Sequence, residues 1–240
     1  FRDLGVETEG VVASTTYRTV SKTRILAGDP HRTKQQLLRI DREPDAPPDA
    51  AAREALKERL RARLPHADAV IYSDYGYGTA TPDVFAAARE AFRGRLQAAD
   101  SRYRIGEFRG VDVATPNEDE AEGAVGFRIR DEAALERAGR LLLDRLEAPA
   151  LLITRGNLGL SLFERDKPRV DVPASGGEVA DVSGAGDTVI SVLTLALAAG
   201  ASRDDAARLA NAAAGVVVTK AGAAVCAPSE FVAAAEAFAR

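Results

Sequence analysis

The chain contains no methionine and no tryptophan, a single cysteine (Cys226) and only two histidines, His31 and His66. One cysteine excludes an internal disulfide and a cysteine-based zinc site. Two histidines leave too little for a histidine-rich metal centre. Positive charge is not in excess either: the net charge is −4 with 28% charged residues, so there is no basic footprint for nucleic acid. Apolar runs all break well short of the roughly 18 residues a membrane span needs. The opening Phe1-Arg-Asp-Leu-Gly5 is not a charged segment leading into an apolar signal core. Together these absences lead us to expect a soluble, cytoplasmic protein. The missing methionine and the start at Phe1, inside what reads as the connection to a strand, suggest that the chain continues upstream.

With 240 residues, one domain of ordinary α/β size is the default. Val11 to Ile40 is rich in β-branched and alternating residues and reads as short antiparallel strands, with a break at Ala27-Gly-Asp-Pro30 and its basic neighbours. A proline-rich stretch from Pro44 to Asp49 separates this β segment from a helix over Ala50 to Leu64. Strands then alternate with helices. Strands are expected at Ala69–Ser73, Val111–Thr115, Ala150–Thr154 and Leu160–Phe163. Helices are expected at Thr81–Leu96, Glu118–Val125, Asp131–Leu146, Val189–Ala199 and Arg203–Thr219. Such alternation implies a three-layer αβα sandwich with a mainly parallel central sheet, and the early β segment becomes a small lid. Ligands of such folds sit beyond the carboxyl ends of the strands. Polar clusters fall there three times, at Ser73-Asp74-Tyr75-Gly76, Thr115-Pro-Asn117 and Thr154-Arg155-Gly156.

Near the C-terminus stands Asp181-Val-Ser-Gly-Ala-Gly-Asp187-Thr188, followed by a long apolar helical run. Glycines around one alanine let the backbone turn tightly and expose successive N–H groups. A helix starting there adds unpaired amides and its positive dipole end, which suits a phosphate or developing phosphoryl charge. A carboxylate such as Asp187 is oddly placed for an anion binder unless it accepts a proton from an attacking hydroxyl. A plain capped helix start is the simpler alternative. Likewise Asn117-Glu-Asp-Glu120 is either a helix cap or a site where Glu120 holds the water shell of Mg²⁺ and Asn117 faces phosphates. Thr154-Arg155-Gly156-Asn-Leu-Gly159 follows an apolar strand and reads as a strand-to-hairpin turn that needs glycine. No Walker A sequence and no Gly-x-Gly-x-x-Gly after an early strand occur.

The octet resembles the Asp-Thr-x-Gly-Ala-Gly-Asp signature of the ribokinase-like (PfkB) carbohydrate kinases, and Asn117-x-x-Glu120 resembles that family's second motif. The resemblance implies Asp187 as catalytic base and Gly184, Ala185 and Gly186 as the anion hole. It implies ATP and Mg²⁺ as cofactors, with Asn117, Glu120, Thr154, Arg155, Gly156, Gly159 and Asn211 on the nucleotide side and Glu120 reaching Mg²⁺ through water. Asn211 is equally readable as a helix residue in a small-residue interface.

The likeness sharpens toward the kinase domain of bacterial heptose-7-phosphate kinase/ADP-heptose synthases. Ser73-Asp74-Tyr75-Gly76-Tyr77-Gly78, Lys22-Thr-Arg24 and Gln35-Gln36-Leu-Leu-Arg39-Ile-Asp41 are similar to segments of that branch. They imply Asp74, Lys22, Arg24, Gln36 and Arg39 on the substrate side, although Tyr77 stands where the branch has lysine. The family's opening strand, with its sugar-binding Asp and Gly-Gly motif, is not among these residues, nor is a His-x-Gly-His nucleotidyltransferase signature. The resulting expectation is an ATP-dependent kinase of a sugar or sugar phosphate, resembling heptose 7-phosphate, that dimerises through the lid. A nucleotide-binding protein without catalysis is the alternative. A kinase of a nucleoside or vitamin on the same fold is the third reading.

Overall fold

Alternate residues of the central strands belong to opposite cores, and this divides the molecule into layers. The computed structural model describes residues 1–28, 35–177 and 179–238. Six strands lie side by side in chain order: β3 (Ala69–Asp74), β4 (Leu96–Ser101), β5 (Val113–Ala114), β6 (Ala150–Thr154), β7 (Leu160–Glu164) and β8 (Val170–Val172). Pairings from β3 to β6 are parallel, and those of β7 with β6 and β8 are antiparallel. In β6, Leu151 and Ile153 face one core and Ala150 and Leu152 the other, all fully buried. A strand covered on both sides reads as a continuous apolar run, as this one does.

The first core is closed by helices α2 (Pro82–Ala91), α3 (Glu118–Val125) and α4 (Glu132–Leu146), through Phe85, Ala121, Leu135, Leu142 and Leu146. The second is closed by α5 (Ala185–Ala198) and α6 (Arg203–Val218), through Val189, Ile190, Leu193, Ala207 and Ala210. The small residues of α5 and α6 suit close approach. Phe163 shows the tolerance of the first core: a methyl on Gly139 of α4 would stand 2.3 Å from its ring. Helix α1 (Ala50–Arg63) starts at Asp49, whose carboxylate accepts from Ala52 N, and packs on the outside of α2. Helix α7 (Pro228–Phe238) packs on α6.

The lid is the separate antiparallel pair β1 (Ser21–Ala27) and β2 (Gln35–Arg42). The turn expected at Ala27–Pro30 and its basic neighbours lies mostly outside the described residues. No strand forms over residues 11–20. There Ser14 Oγ accepts from the amides of Thr16 and Tyr17, and Thr16 bonds Asp49, so side chains compete with a ladder for the backbone.

Three further elements depart from the sequence reading. The helix expected to run to Leu96 stops at Ala91, and Leu96–Ser101 is strand β4. Leu, Gln and Ala favour a helix on their own. Between two strands, however, Ala98 and Ala99 are fully buried, and that placement overrides propensity. Strand β8 and helix α7 also lie where no element was expected.

Gly159 holds β8 against the loop after β6. Its φ is +91°, and a methyl there would lie 2.0 Å from Val172 O and 2.5 Å from Ala174 N. The backbone conformation alone makes Gly159→Ala unfavourable by roughly 1–3 kcal/mol, and the collision adds to it. A fall in the urea midpoint of that variant should report the loss, and an unchanged midpoint would refute it.

Candidate active site

The carboxyl ends of β3, β4, β5 and β6 open on one cleft of about 680 Å³, into which the start of α5 also points. Gly184 caps α5 with φ +85°, a left-handed turn that glycine adopts freely. Thr188 closes the turn by donating to Gly184 O from both its amide and its hydroxyl, at 2.9 and 2.8 Å. The amides of residues 185–187 precede that first intrahelical bond, although Ala185 N is turned onto Val182 O at 3.2 Å. Asp181 fixes the approach to this nest by accepting from Ser183 N and Gly222 N.

Asp187 stands on the first turn of α5 with its side chain in the cleft. Both of its oxygens face the Tyr75 hydroxyl, at 2.7 and 2.9 Å. Tyr75 follows β3, 112 residues earlier in the chain. Its phenol is held well above its ordinary pKa by burial, then by the hydrogen bond to Asp187. A hydroxyl presented to Asp187 is the arrangement a hydroxyl-bearing acceptor needs there.

Across the cleft, Asn117 and Glu120 form a reciprocal cap on α3. Glu120 N donates to Asn117 Oδ1 at 2.8 Å, and Asn117 N donates to Glu120 Oε2 at 2.9 Å. The capping role weighed from sequence is therefore present, and both residues also line the cleft. Burial raises the proton affinity of Glu120. Thr154 lines the same cleft, bridged in parallel to Asn117 through the end of β6.

Other sequence candidates lie elsewhere. The Arg155 guanidinium is turned to Glu132 at 2.7 Å and Glu118 at 3.1 Å, outside the cleft. Two carboxylates with a half-buried guanidinium between them outcompete solvent for it. Gly156 is an exposed turn residue and Gly159 a buried contact to β8. Asn211 is buried in α6, where its side-chain amide donates to Pro173 O and its backbone carbonyl accepts from Ser175 Oγ. Beside it, Ser175, Gly176, Ala212, Gly215, Val216 and Thr219 line a separate, largely apolar groove. Asp74 reaches the cleft floor with its oxygens already engaged by Arg104, Ser101 Oγ and Gly76 N.

The lid touches both banks. Arg24 donates to Ser183 Oγ at 3.3 Å, and Tyr77 OH donates to Glu43 at 2.8 Å with the Lys22 ammonium 5.7 Å from its ring. Arg39 pairs with Asp41, and Gln36 lies exposed opposite Leu26.

Sequence reasoning missed what the end of β4 supplies: Asp100, Arg102 and Tyr103 all line the cleft. Burial, then the charges of Glu120, Asp187 and Asp74, push the Asp100 carboxyl up to about 7. An unfolded aspartate ionises near 4. Between those values the folded state binds more protons, so this residue makes stability fall as pH rises from about 4 to 7 and level off above. Asp100→Asn should flatten that part of the stability–pH curve and gain on the wild type at pH 8. Parallel curves for the two proteins would overturn it.

The start of α5 with Asp187 and the Thr154/Asn117/Glu120 wall thus share one cleft, at the carboxyl ends of the parallel strands of a mainly parallel sheet covered by helices on both faces. The pfkB family carbohydrate kinase profile matches residues 1–230, and the chain belongs to this family. It is 43% identical over 232 residues to bifunctional protein HldE of Citrifermentans bemidjiense, covering 95% of this chain and 47% of that protein. It is 41% identical over 239 residues to bifunctional protein HldE of Caulobacter vibrioides, covering 97% and 47%. The chain thus spans about half the length of the curated relatives it matches. Phosphofructokinase-2 from Escherichia coli, solved with potassium, superposes with a TM-score of 0.74 at 18% identity, over 86% of this chain and 67% of that one. Arabidopsis thaliana ribokinase with ribose and ATP gives 0.66 at 20% identity, over 85% and 66%. The fold is the ribokinase fold.

Proposed function

We propose that this chain is an ATP-dependent kinase that phosphorylates a hydroxyl of a sugar phosphate related to heptose 7-phosphate. The observation that carries the reading is the shared cleft, where Asp187, the Gly184–Gly186 turn and the Asn117/Glu120/Thr154 wall meet. Asp187 takes the acceptor's hydroxyl proton, and the amides at the start of α5 meet the charge on the transferred group. Tyr75 holds the carboxylate until an acceptor hydroxyl replaces it. The acceptor lies under the lid, toward Lys22 and Arg24.

Glu120 keeps one oxygen on the Asn117 amide, and Asp119 and Asp187 line the same cleft. This donor set suits a hydrated Mg²⁺ reached through water rather than an all-protein cage. Bound with ATP, Mg²⁺ supplies neutralisation of phosphate charge. The adenine fits the apolar groove beside α6, whose floor Asn211 supports by pinning Pro173 and Ser175. No helix among the described residues is long and apolar enough to cross a membrane, and we place the protein in the cytoplasm.

The test is ADP release with ATP·Mg²⁺ and a panel of sugar phosphates including heptose 7-phosphate. Release dependent on one sugar phosphate supports the reading. Silence across the panel, with ATP still raising the melting temperature, favours nucleotide binding without catalysis. Tyr75→Phe should raise acceptor-independent ATP hydrolysis several-fold, because water then reaches Asp187; an unchanged rate would remove Tyr75 from this role. Leu37, Leu38 and Ile25 leave apolar surface exposed on the lid, which we assign to a homodimer contact. A monomer by size-exclusion chromatography at high concentration would overturn that contact.

A further inference from the structure

Among the described residues lining the cleft, Arg102 is the one cation, and Asp74, Asp100, Asp119, Glu120 and Asp187 line the same space. An ATP triphosphate entering there meets five carboxyl groups, of which Asp74 is already paired with Arg104. Other arginines near the strand ends are committed: Arg104 to Asp74 at 2.9 Å, and Arg155 to Glu132 and Glu118. Arg102 differs. Its backbone is fixed by donation from its amide to Asp74 O at 3.0 Å, while its exposed guanidinium lies 5.7 Å from the Tyr103 ring and forms no ion pair among the described residues. Its field reaches Glu120, whose ionised form it favours, so the charge lies toward the Asn117/Glu120 wall. A guanidinium is always charged and presents a planar fork of donors matched to phosphate oxygens. Left without a carboxylate partner among so many, it is a group kept available for an anion.

We propose that Arg102 grips the terminal phosphoryl group of ATP, opposite the amides at the start of α5. The inference rests on the kinase reading. As the acceptor oxygen bonds to phosphorus, its proton passes to Asp187, the bond to the ADP oxygen breaks, and ADP leaves with that electron pair. Arg102 exchanges no proton. It follows the charge on the phosphoryl oxygens, which bidentate contacts from arginine match well.

The test compares wild type, Arg102→Gln and Arg102→Lys by calorimetric titration with Mg²⁺ and either β,γ-imido-ATP or ADP. Because Arg102 is exposed, both variants should fold, and melting curves check this. Arg102→Gln should bind the triphosphate analogue about 10-fold or more weakly, the scale of a hydrogen bond to a charged group. ADP affinity should stay within about twofold, and Arg102→Lys should fall between, keeping the charge without the fork. In turnover, Arg102→Gln should lose on the order of 10²-fold or more in kcat, below the range of arginine fingers. Equal binding of the analogue by wild type and Arg102→Gln, or equal losses for analogue and ADP, would overturn the assignment. If wild type binds no nucleotide, the kinase reading falls separately. Inorganic tripolyphosphate is then the probe: weaker binding by Arg102→Gln retains Arg102 as a phosphate ligand, and equal or absent binding rejects it.

Discussion

Asp187→Asn is expected to cut phosphoryl transfer by roughly 10²–10⁴-fold, the range ascribed to a positioned general base, while nucleotide affinity stays near that of wild type. The amide keeps the shape of the side chain and can still accept from the Tyr75 hydroxyl, so the start of α5 should hold its geometry. What it loses is the capacity to take a proton. Steady-state kinetics with the acceptor identified by the panel, and calorimetry with ATP, measure the two quantities separately. A variant with full turnover would remove Asp187 from the chemistry. One that has lost ATP binding as well would show that the substitution disturbed the nest rather than the proton transfer.

The second large effect is structural. Arg104→Ala should destabilise the protein by about 3 kcal/mol or somewhat more, the scale for removing one partner of a buried pair. The Asp74 carboxylate is 1% exposed and is held by Arg104 Nη2 at 2.9 Å and Nε at 3.2 Å. Without the guanidinium, only Ser101 Oγ and Gly76 N remain to compensate a buried charge. Arg104 also donates to Ala80 O, so its loss frees the loop that carries Tyr75. Urea unfolding of Arg104→Ala, Asp74→Asn and the double variant gives the coupling between the two. A double variant whose loss equals the sum of the single losses would refute the pairing argument.

Much of the architecture could be read from the residues, and the failures share one cause. The apolar run Ala150–Thr154 and the capped helices α3, α4 and α6 carry their signals within a few residues, and all form where expected. Leu96–Ser101 does not carry such a signal. Its Leu, Gln and Ala favour a helix, and only its place between β3 and β5 makes it a strand. Ending a helix at Leu96 and expecting no strand before Val111 hid the strand end that brings Asp100 and Arg102 into the cleft. The same limit applied to Arg155: a Thr-Arg-Gly loop suggests a phosphate contact, but Glu118 and Glu132 arrive from α3 and α4 and take the guanidinium.

What the sequence by itself determined was local: the Asn117/Glu120 cap, the tight glycine turn at Gly184, the elements with strong local signals such as β6, α3, α4 and α6, and the family motifs at the ends of β5 and β6. Backbone conformation and capping depend on near neighbours, so those residues suffice. Only the tertiary structure decided which distant groups meet. It set the Tyr75 hydroxyl against Asp187, buried Asp74 under Arg104, withdrew Arg155 into ion pairs and left Arg102 without one among the described residues. The physical reason is that charge, desolvation and hydrogen bonding act through space. Sheet register and helix packing set those distances, and no short stretch of chain contains them.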